Sequence, residues 1–366
     1  MIDPRVVKMA DVLANYCLEL KQGDTFLMQG SPAAAPLIRE TYRAALRAGA
    51  HPVTRLSLPG LDEILYAEAS REQLQFLPRI TLEETDFFDA RLVIQASENT
   101  KALSSVDPQR IALHQAALGP VGSRLMERSA SGELRRCLSL FPTQAHAQDA
   151  EMSLVDYENF VFESCLLDQP DPAEAWRGVR TKQQHIVDYL MAHDTIHIVA
   201  PGTDITYRVR GRTWLNSDGK RNFPSGEVFT GPIEDSVEGH VRFTYPAIYN
   251  GREVEDVRLS FSGGKVVEAS ASRGQEFLLA MLETDPGARY LGEVAFGLNY
   301  GIRRFTRNIL FDEKIGGTMH MALGRSYPDS GGKNQSAIHW DLICDLRDGE
   351  VTADGEVCYR AGKFLI

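Results

Sequence analysis

Apolar positions in the first half of the chain alternate between helix and strand spacing. Val6, Met9, Ala10, Leu13, Cys17 and Leu20 recur at helical intervals, which gathers them on one face. Thr25-Phe-Leu-Met28 reads as a short buried strand. A second helix is predicted from Pro32 to Ala48, with Ile38, Tyr42 and Leu46 inward and Gly49 as its stop, followed by a strand over Val53 to Leu58. Strand, helix and strand of these lengths form a βαβ unit, so parallel pairing is expected. Leu92-Val-Ile94 and Cys137-Leu-Ser-Leu140 add two short strands, and the whole predicts a doubly wound α/β layer structure.

The pattern changes near residue 170. Asp168-Gln-Pro-Asp-Pro172 breaks the chain, a helix is predicted from Ala173 to Met191, and strands with turn signals follow at Pro201-Gly202, Ser217-Asp-Gly219, Ser262-Gly-Gly264 and Asp354-Gly355. Val257, Leu259 and Phe261 alternate into the Gly263-Gly264 turn, and Val267, Ala269 and Ala271 leave it, which predicts a hairpin. His193 and His197 stand four residues apart, but the β-branched run after Asp194 puts them where a helix enters a strand, so the pair reads as structural. A length of 366 residues also favours two cores over one. The expectation is a two-domain chain: residues 1–190 as an N-terminal doubly wound α/β domain, and residues 191–366 as a C-terminal α+β, mostly antiparallel β catalytic domain.

Composition narrows the function. Apolar residues at 43% and charged residues at 24% describe an ordinary globular chain. The formal charge of −11 repels phosphate backbones and anionic lipid, so neither a nucleic-acid nor a membrane partner is expected. No apolar run approaches the roughly 18 residues that cross a bilayer. The opening Met-Ile-Asp-Pro-Arg lacks the basic-then-apolar order of a secretory leader. Five scattered cysteines without a Cys-x-x-Cys pair read as buried thiols, and the expected location is the cytoplasm. A Gly-x-Ser-x-Gly elbow, a Walker A loop and a Gly-x-Gly-x-x-Gly after the first strand are all missing.

The informative chemistry runs from Asn222 to Asp345. From Ser336 to Leu346 the chain alternates with period two, so Trp340, Leu342, Cys344 and Leu346 share one face, and His339, Asp341, Ile343 and Asp345 the other. An imidazole and a carboxylate two residues apart on a strand can reach one point, although a half-exposed strand with a wet polar face fits the same pattern. Thr318 to Leu323 repeats the arrangement: Met319, Met321 and Leu323 form the apolar face, and His320 sits opposite between small Thr318 and Ala322. A lone histidine so placed also fits a hydrogen-bonded core residue. Glu227 and Glu293 each follow a glycine and precede apolar residues, which marks both for burial. A buried carboxylate needs a partner or a metal, and basic residues nearby are few. Two histidines and several carboxylates without cysteine suit divalent zinc, cobalt or manganese, and more than four such groups suggest two ions sharing carboxylates.

Four stretches in this order resemble the aminopeptidase T, S and II family of dinuclear metallo-aminopeptidases: Asn222-Phe-Pro-Ser-Gly-Glu-Val-Phe-Thr-Gly-Pro232, Gly287-Ala-Arg-Tyr-Leu-Gly-Glu293, Phe311-Asp-Glu-Lys-Ile-Gly-Gly-Thr-Met-His-Met-Ala-Leu-Gly-Arg-Ser-Tyr327 and Ser336-Ala-Ile-His-Trp-Asp341. The resemblance implies that Glu227, Glu293, His320, His339 and Asp341 ligate metal, and that Glu313 is a further acid near the ions. It implies that Tyr327 is the catalytic tyrosine, whereas by itself Tyr327 reads as a surface residue in a turn before Pro328. The cofactors it implies are two divalent ions, whether zinc, cobalt, manganese or magnesium. It also implies a peptide substrate cleaved at its amino terminus and a homodimer. Glu227 or Glu293, besides binding metal, is a candidate proton relay, and Asp341, Asp345 and Glu313 are candidates for holding the substrate ammonium. Rival readings are another metal-dependent amidohydrolase or phosphohydrolase, and a non-catalytic metal- or ligand-binding protein.

Overall fold

The structure, a computed structural model, describes residues 3–249 and 251–366; the first two residues of the segment read for a leader lie outside them. It divides into two units, one running up to residue 173 with 219–223 added, the other made of 174–218 and 224–366. The helix Pro172–Met191 explains why the division falls earlier than residue 190: its Val187 and Leu190 are buried in the core of the second unit.

The first unit is built on a parallel sheet. Its strands lie in the order His51–Leu56, Thr25–Gly30, Ala90–Gln95, Arg135–Leu140 and Asn222–Phe223, and every neighbouring pair is parallel. Phe26, Met28, Leu92 and Ile94 are buried, as the short apolar runs require. Asp3 caps the opening helix, accepting from the Arg5 N–H, and the helix continues from Pro4–Val12 into a π turn over Leu13–Cys17. The next helix begins as a 3-10 turn at Pro32–Ala34 and runs over Ala35–Arg47. Its inward face corrects the expectation. Leu37, Ile38, Thr41, Ala44 and Ala45 are buried, while Tyr42 and Leu46 are exposed. Small Ala44 and Ala45 let this helix pack closely on the Pro4–Val12 helix, so the inward stripe runs through them and the bulkier residues turn out.

The second unit holds antiparallel sheets. Eight strands pair antiparallel in the order Lys265–Ser270, Val257–Ser262, Glu238–Phe243, Thr203–Arg208, Thr195–Ala200, Glu350–Ala353, Glu356–Arg360 and Lys363–Phe364. A five-stranded sheet follows the order His339–Asp345, Thr318–Gly324, Leu291–Gly297, Glu227–Thr230 and Leu215–Ser217. The two sheets share one apolar core, to which the first sheet gives Ile198, Ile205, Val241 and Leu259 and the second gives Phe296, Met321, Trp340 and Leu342. The hairpin at Gly263-Gly264 forms as expected, except that a register shift between Ser260 and Phe261 brings Val266 inward and leaves Val267 exposed. His193 and His197 fall in the link after Met191 and on the strand Thr195–Ala200, as the β-branched run after Asp194 indicated. No helix among the described residues is long and apolar enough to cross a membrane.

Candidate metal centre

Each strand of the five-stranded sheet has two faces. Val228, Val294, Phe296, Met319, Met321, Leu323, Trp340, Leu342 and Cys344 point into the shared core. The register then forces the intervening residues onto the opposite face. Gly297 pairs with Glu227, Glu293 with Ala322, and Ala322 with Asp341; Ala295 pairs with His320, and Gly324 with His339. Glu227, Glu293, His320, His339 and Asp341 therefore come to one face of four neighbouring strands. The residues between them are small, Ala295, Ala322 and Gly297, so the polar side chains have room to converge.

The glycines that precede the two acids have local causes. Gly226 adopts φ +117°, a region that favours glycine, and a Cβ there would lie 2.8 Å from the Asn299 Cβ. Gly292 sits where the register slips between Leu291 and Glu293, and a Cβ would lie 2.3 Å from the Arg325 carbonyl oxygen. Glu313 enters from outside the sheet, at the end of the short helix Ile309–Asp312. The Thr306 N–H and hydroxyl donate to Asp312 Oδ1 at 2.7 and 2.8 Å, and the Lys314 carbonyl accepts from the Asn299 N–H at 3.0 Å, so this turn is fixed on both sides.

Glu293 stands between the two imidazoles, with Oε1 3.3 Å from His320 Nε2 and Oε2 3.5 Å from His339 Nε2. His339 Nε2 is also 3.5 Å from Asp341 Oδ1, and His320 Nε2 is 3.7 Å from Glu227 Oε2. Two triads offer ligand atoms that all lie within 4.8 Å of one another: Glu293, His339 and Asp341 in one, Glu313, His320 and Asp341 in the other. Asp341 belongs to both. The Nδ1–H of His339 faces the Arg325 carbonyl at 2.7 Å; a bond there turns Nε2 toward the carboxylates. Tyr327 is brought in rather than left on the surface, with its ring 4.9 Å from that of His339 and 5.9 Å from that of Phe229.

These donors fit a divalent cation. Glu227 Oε2 and His320 Nδ1 are buried without a hydrogen-bond partner, an expensive condition that bound cations relieve at the carboxylate. The set is imidazole and carboxylate without sulfur, which suits zinc, cobalt or manganese. The titration of the groups expresses the same shortage of cations. Burial pushes Glu227 up to about 7 against the pull of Lys314, and pushes Asp341 up to about 6 against that of His339. Burial opposes the charged forms of Glu293, His320 and His339 too. Their mutual hydrogen bonds and charges overcome it, holding Glu293 down at about 2 and raising His320 to about 10 and His339 to about 9.

One member of the centre escapes the sequence reading. The Lys314 side chain is fully buried, with Nζ in contact with Glu313 Oε1 and 3.7 Å from Glu227 Oε1. A lysine flanked by Glu313 and the apolar Ile315, in the turn after a one-turn helix, gives no periodic signal of burial; the only pointer was the need of Glu227 for a cation. Asp345 keeps its place on the functional face but is engaged by Arg347, whose N–H and Nε donate to Oδ1 at 2.8 and 2.9 Å.

Comparison with known proteins identifies the family. The chain is 32% identical to aminopeptidase 2 of Geobacillus stearothermophilus, over 98% of its own length and 97% of that protein. It superimposes on wild-type AmpT from Thermus thermophilus with a TM-score of 0.89 at 25% identity, covering all of both chains. A dioxygenase of 2,5-dihydroxypyridine from Pseudomonas putida KT2440 shares the fold at TM-score 0.61 and 14% identity, over 98% of this chain and 96% of that one. The thermophilic metalloprotease family (M29) matches residues 2–364, so the chain belongs to that family and takes a divalent metal as its cofactor.

Proposed function

We propose that this metal-dependent aminopeptidase works through a centre of two divalent ions held by Glu227, Glu293, Glu313, His320, His339 and Asp341. The observation that carries the reading is the pair of ligand triads sharing Asp341. Divalent ions bound there lower the pKa of water and polarise a peptide carbonyl. The chain's own groups supply the rest. Both oxygens of Glu293 face imidazoles, whereas Glu227 Oε2 has no hydrogen-bond partner, so Glu227 takes the proton of the attacking water and returns it to the leaving amine. Burial and the surrounding carboxylates hold the Tyr327 phenol well above its ordinary pKa, so it stays protonated and donates to the oxyanion that develops on the scissile carbonyl. Glu313 and Asp341 are the acids proposed to hold the substrate ammonium, since Asp345 is occupied by Arg347.

The proposed domain roles follow. The unit made of 174–218 and 224–366 carries the catalytic centre, and the unit up to residue 173 is a doubly wound α/β domain that carries the contact of a homodimer. Val53, Leu56, Leu58, Leu61 and Ile64 of that first domain are between 47% and 59% exposed, on and beside an edge strand, an apolar run that a second copy would cover. The proposed compartment is the cytoplasm, supported by five buried cysteines scattered along the chain. The test is to strip the chain of metal, reload it with zinc or cobalt, and assay aminoacyl-anilides with free and acetylated amines. Two ions per chain and turnover of the free amine alone are expected. Full turnover by the stripped chain, or equal turnover of the acetylated substrate, would overturn the reading.

A further inference from the structure

Lys314 belongs to neither ligand triad, yet it occupies the centre. Its side chain is fully buried and its ammonium meets two carboxylates, Glu313 and Glu227, of which Glu313 is a donor of the triad Glu313, His320 and Asp341. Among the described residues, the carboxylates of the triad Glu293, His339 and Asp341 pair with imidazoles and with no lysine; Lys314 acts on Asp341 only at longer range. The two positions are therefore electrostatically unlike, although they share Asp341. Charge balance sharpens the difference. The carboxylates of Glu227, Glu293, Glu313 and Asp341 against one ammonium leave three net negative charges when both imidazoles are neutral. A first divalent ion reduces that to one, and a second must enter a centre that is nearly neutral and displace or share the ammonium on Glu313.

We propose that Lys314 makes the centre bind its two ions unequally: the position at Glu293, His339 and Asp341 fills tightly, and the position at Glu313, His320 and Asp341 holds a dissociable ion. Lys314 is thus a positioning residue that acts through Glu313, standing in as a fixed cation while the second ion is away. Without it, the buried Glu313 and Glu227 would face each other with no counter-charge. The inference rests on the two-ion reading above.

Calorimetric titration of the metal-free full chain with cobalt(II) tests it, with the visible absorption of cobalt(II) followed in parallel. Two binding events separated by about tenfold or more are expected. In Lys314→Met, which keeps length and removes charge, the weaker event should tighten and the separation shrink by about tenfold. Glu313→Gln should lose the weaker event and keep the tighter one, a readout that stands even where the lysine variant fails to fold. Two events of equal affinity in the wild-type chain would overturn the inference and leave the two-ion centre intact. So would loss of the tighter event in Glu313→Gln. Saturation at a single ion would overturn the two-ion reading itself, and this inference with it.

Discussion

Loading the metal-free chain should expel protons, and the structure sets how many. With no ion bound, His320 titrates at about 10 and His339 at about 9, so both are imidazolium at pH 7.5. An imidazole nitrogen must be bare to accept an ion, so filling both proposed positions should release about two protons, with a fraction more from Glu227, whose carboxyl sits at about 7. The apparent affinity for the pair of ions should then climb roughly a hundredfold for each pH unit near 8. The sign for stability follows from the same shifts. Each imidazole is raised above the ordinary histidine value of about 6.5, so in the metal-free chain its contribution is full below that pH. It is lost as the pH rises through 9 and 10. Glu227 and Asp341 are raised as well, and act in the same direction at lower pH; Glu293, depressed to about 2, loses its contribution only in acid. The metal-free chain should therefore melt at progressively lower temperature from pH 6.5 to 10, while the loaded chain changes little. Titration calorimetry in two buffers of different ionisation enthalpy counts the protons directly. Release below about half a proton per chain would refute the idea that protons occupy the place of ions.

Three other perturbations separate the parts of the centre. Tyr327→Phe should lower kcat by about 10²–10³ with KM and ion content unchanged, as loss of an oxyanion donor does; steady-state kinetics with elemental analysis decide it. Asp341→Asn removes the donor common to both triads, so ion content after gel filtration should fall for both positions, and retention of two ions would count against sharing. Gly292→Ala places a Cβ 2.3 Å from the Arg325 carbonyl and should destabilise the fold by about 2–4 kcal/mol in denaturant melts, with weaker metal retention because Glu293 moves with the strand.

Much of this was legible in the sequence where a period was at stake. The alternation from His339 to Asp345 and from Thr318 to Gly324 was enough to separate the core face from the functional face, because a strand has only two sides. The glycine before and the apolar residues after Glu227 and Glu293 marked both acids for burial, and both are buried. What periodicity does not encode is phase and lateral register. The stripe of the Ala35–Arg47 helix follows small alanines rather than Tyr42 and Leu46, and the slip at Ser260 exchanges Val266 for Val267. Lys314 was hidden for a further reason. Its burial follows from contacts with Glu227 on a strand far off in sequence, and a pairing of that kind leaves no trace in the spacing of neighbours.

Building such a centre on a sheet has a thermodynamic consequence. Glu227, Glu293 and Asp341 on one sheet surface repel one another, and at least Glu227 and Glu293 are too buried for water to screen them. A loop of the same composition would relax by swinging the acids into solvent. The strands are prevented from doing so, because the reverse face of each is packed with Phe296, Met321, Trp340 and Leu342 against the eight-stranded sheet. Turning one acid outward would rotate its neighbours out of that core, a loss of about 1.5–3 kcal/mol for each large apolar side chain exposed. The core thus holds the donors close together in advance, and the repulsion it contains becomes affinity for cations: protons and Lys314 when metal is absent, divalent ions when it is present. Preorganisation of this kind also explains why the gaps on the functional face are filled by Ala295, Ala322 and Gly297. Larger side chains at Ala295 and Ala322 would crowd the space where the donors converge, and at Gly297 even a Cβ would lie 2.3 Å from the Ile315 carbonyl oxygen.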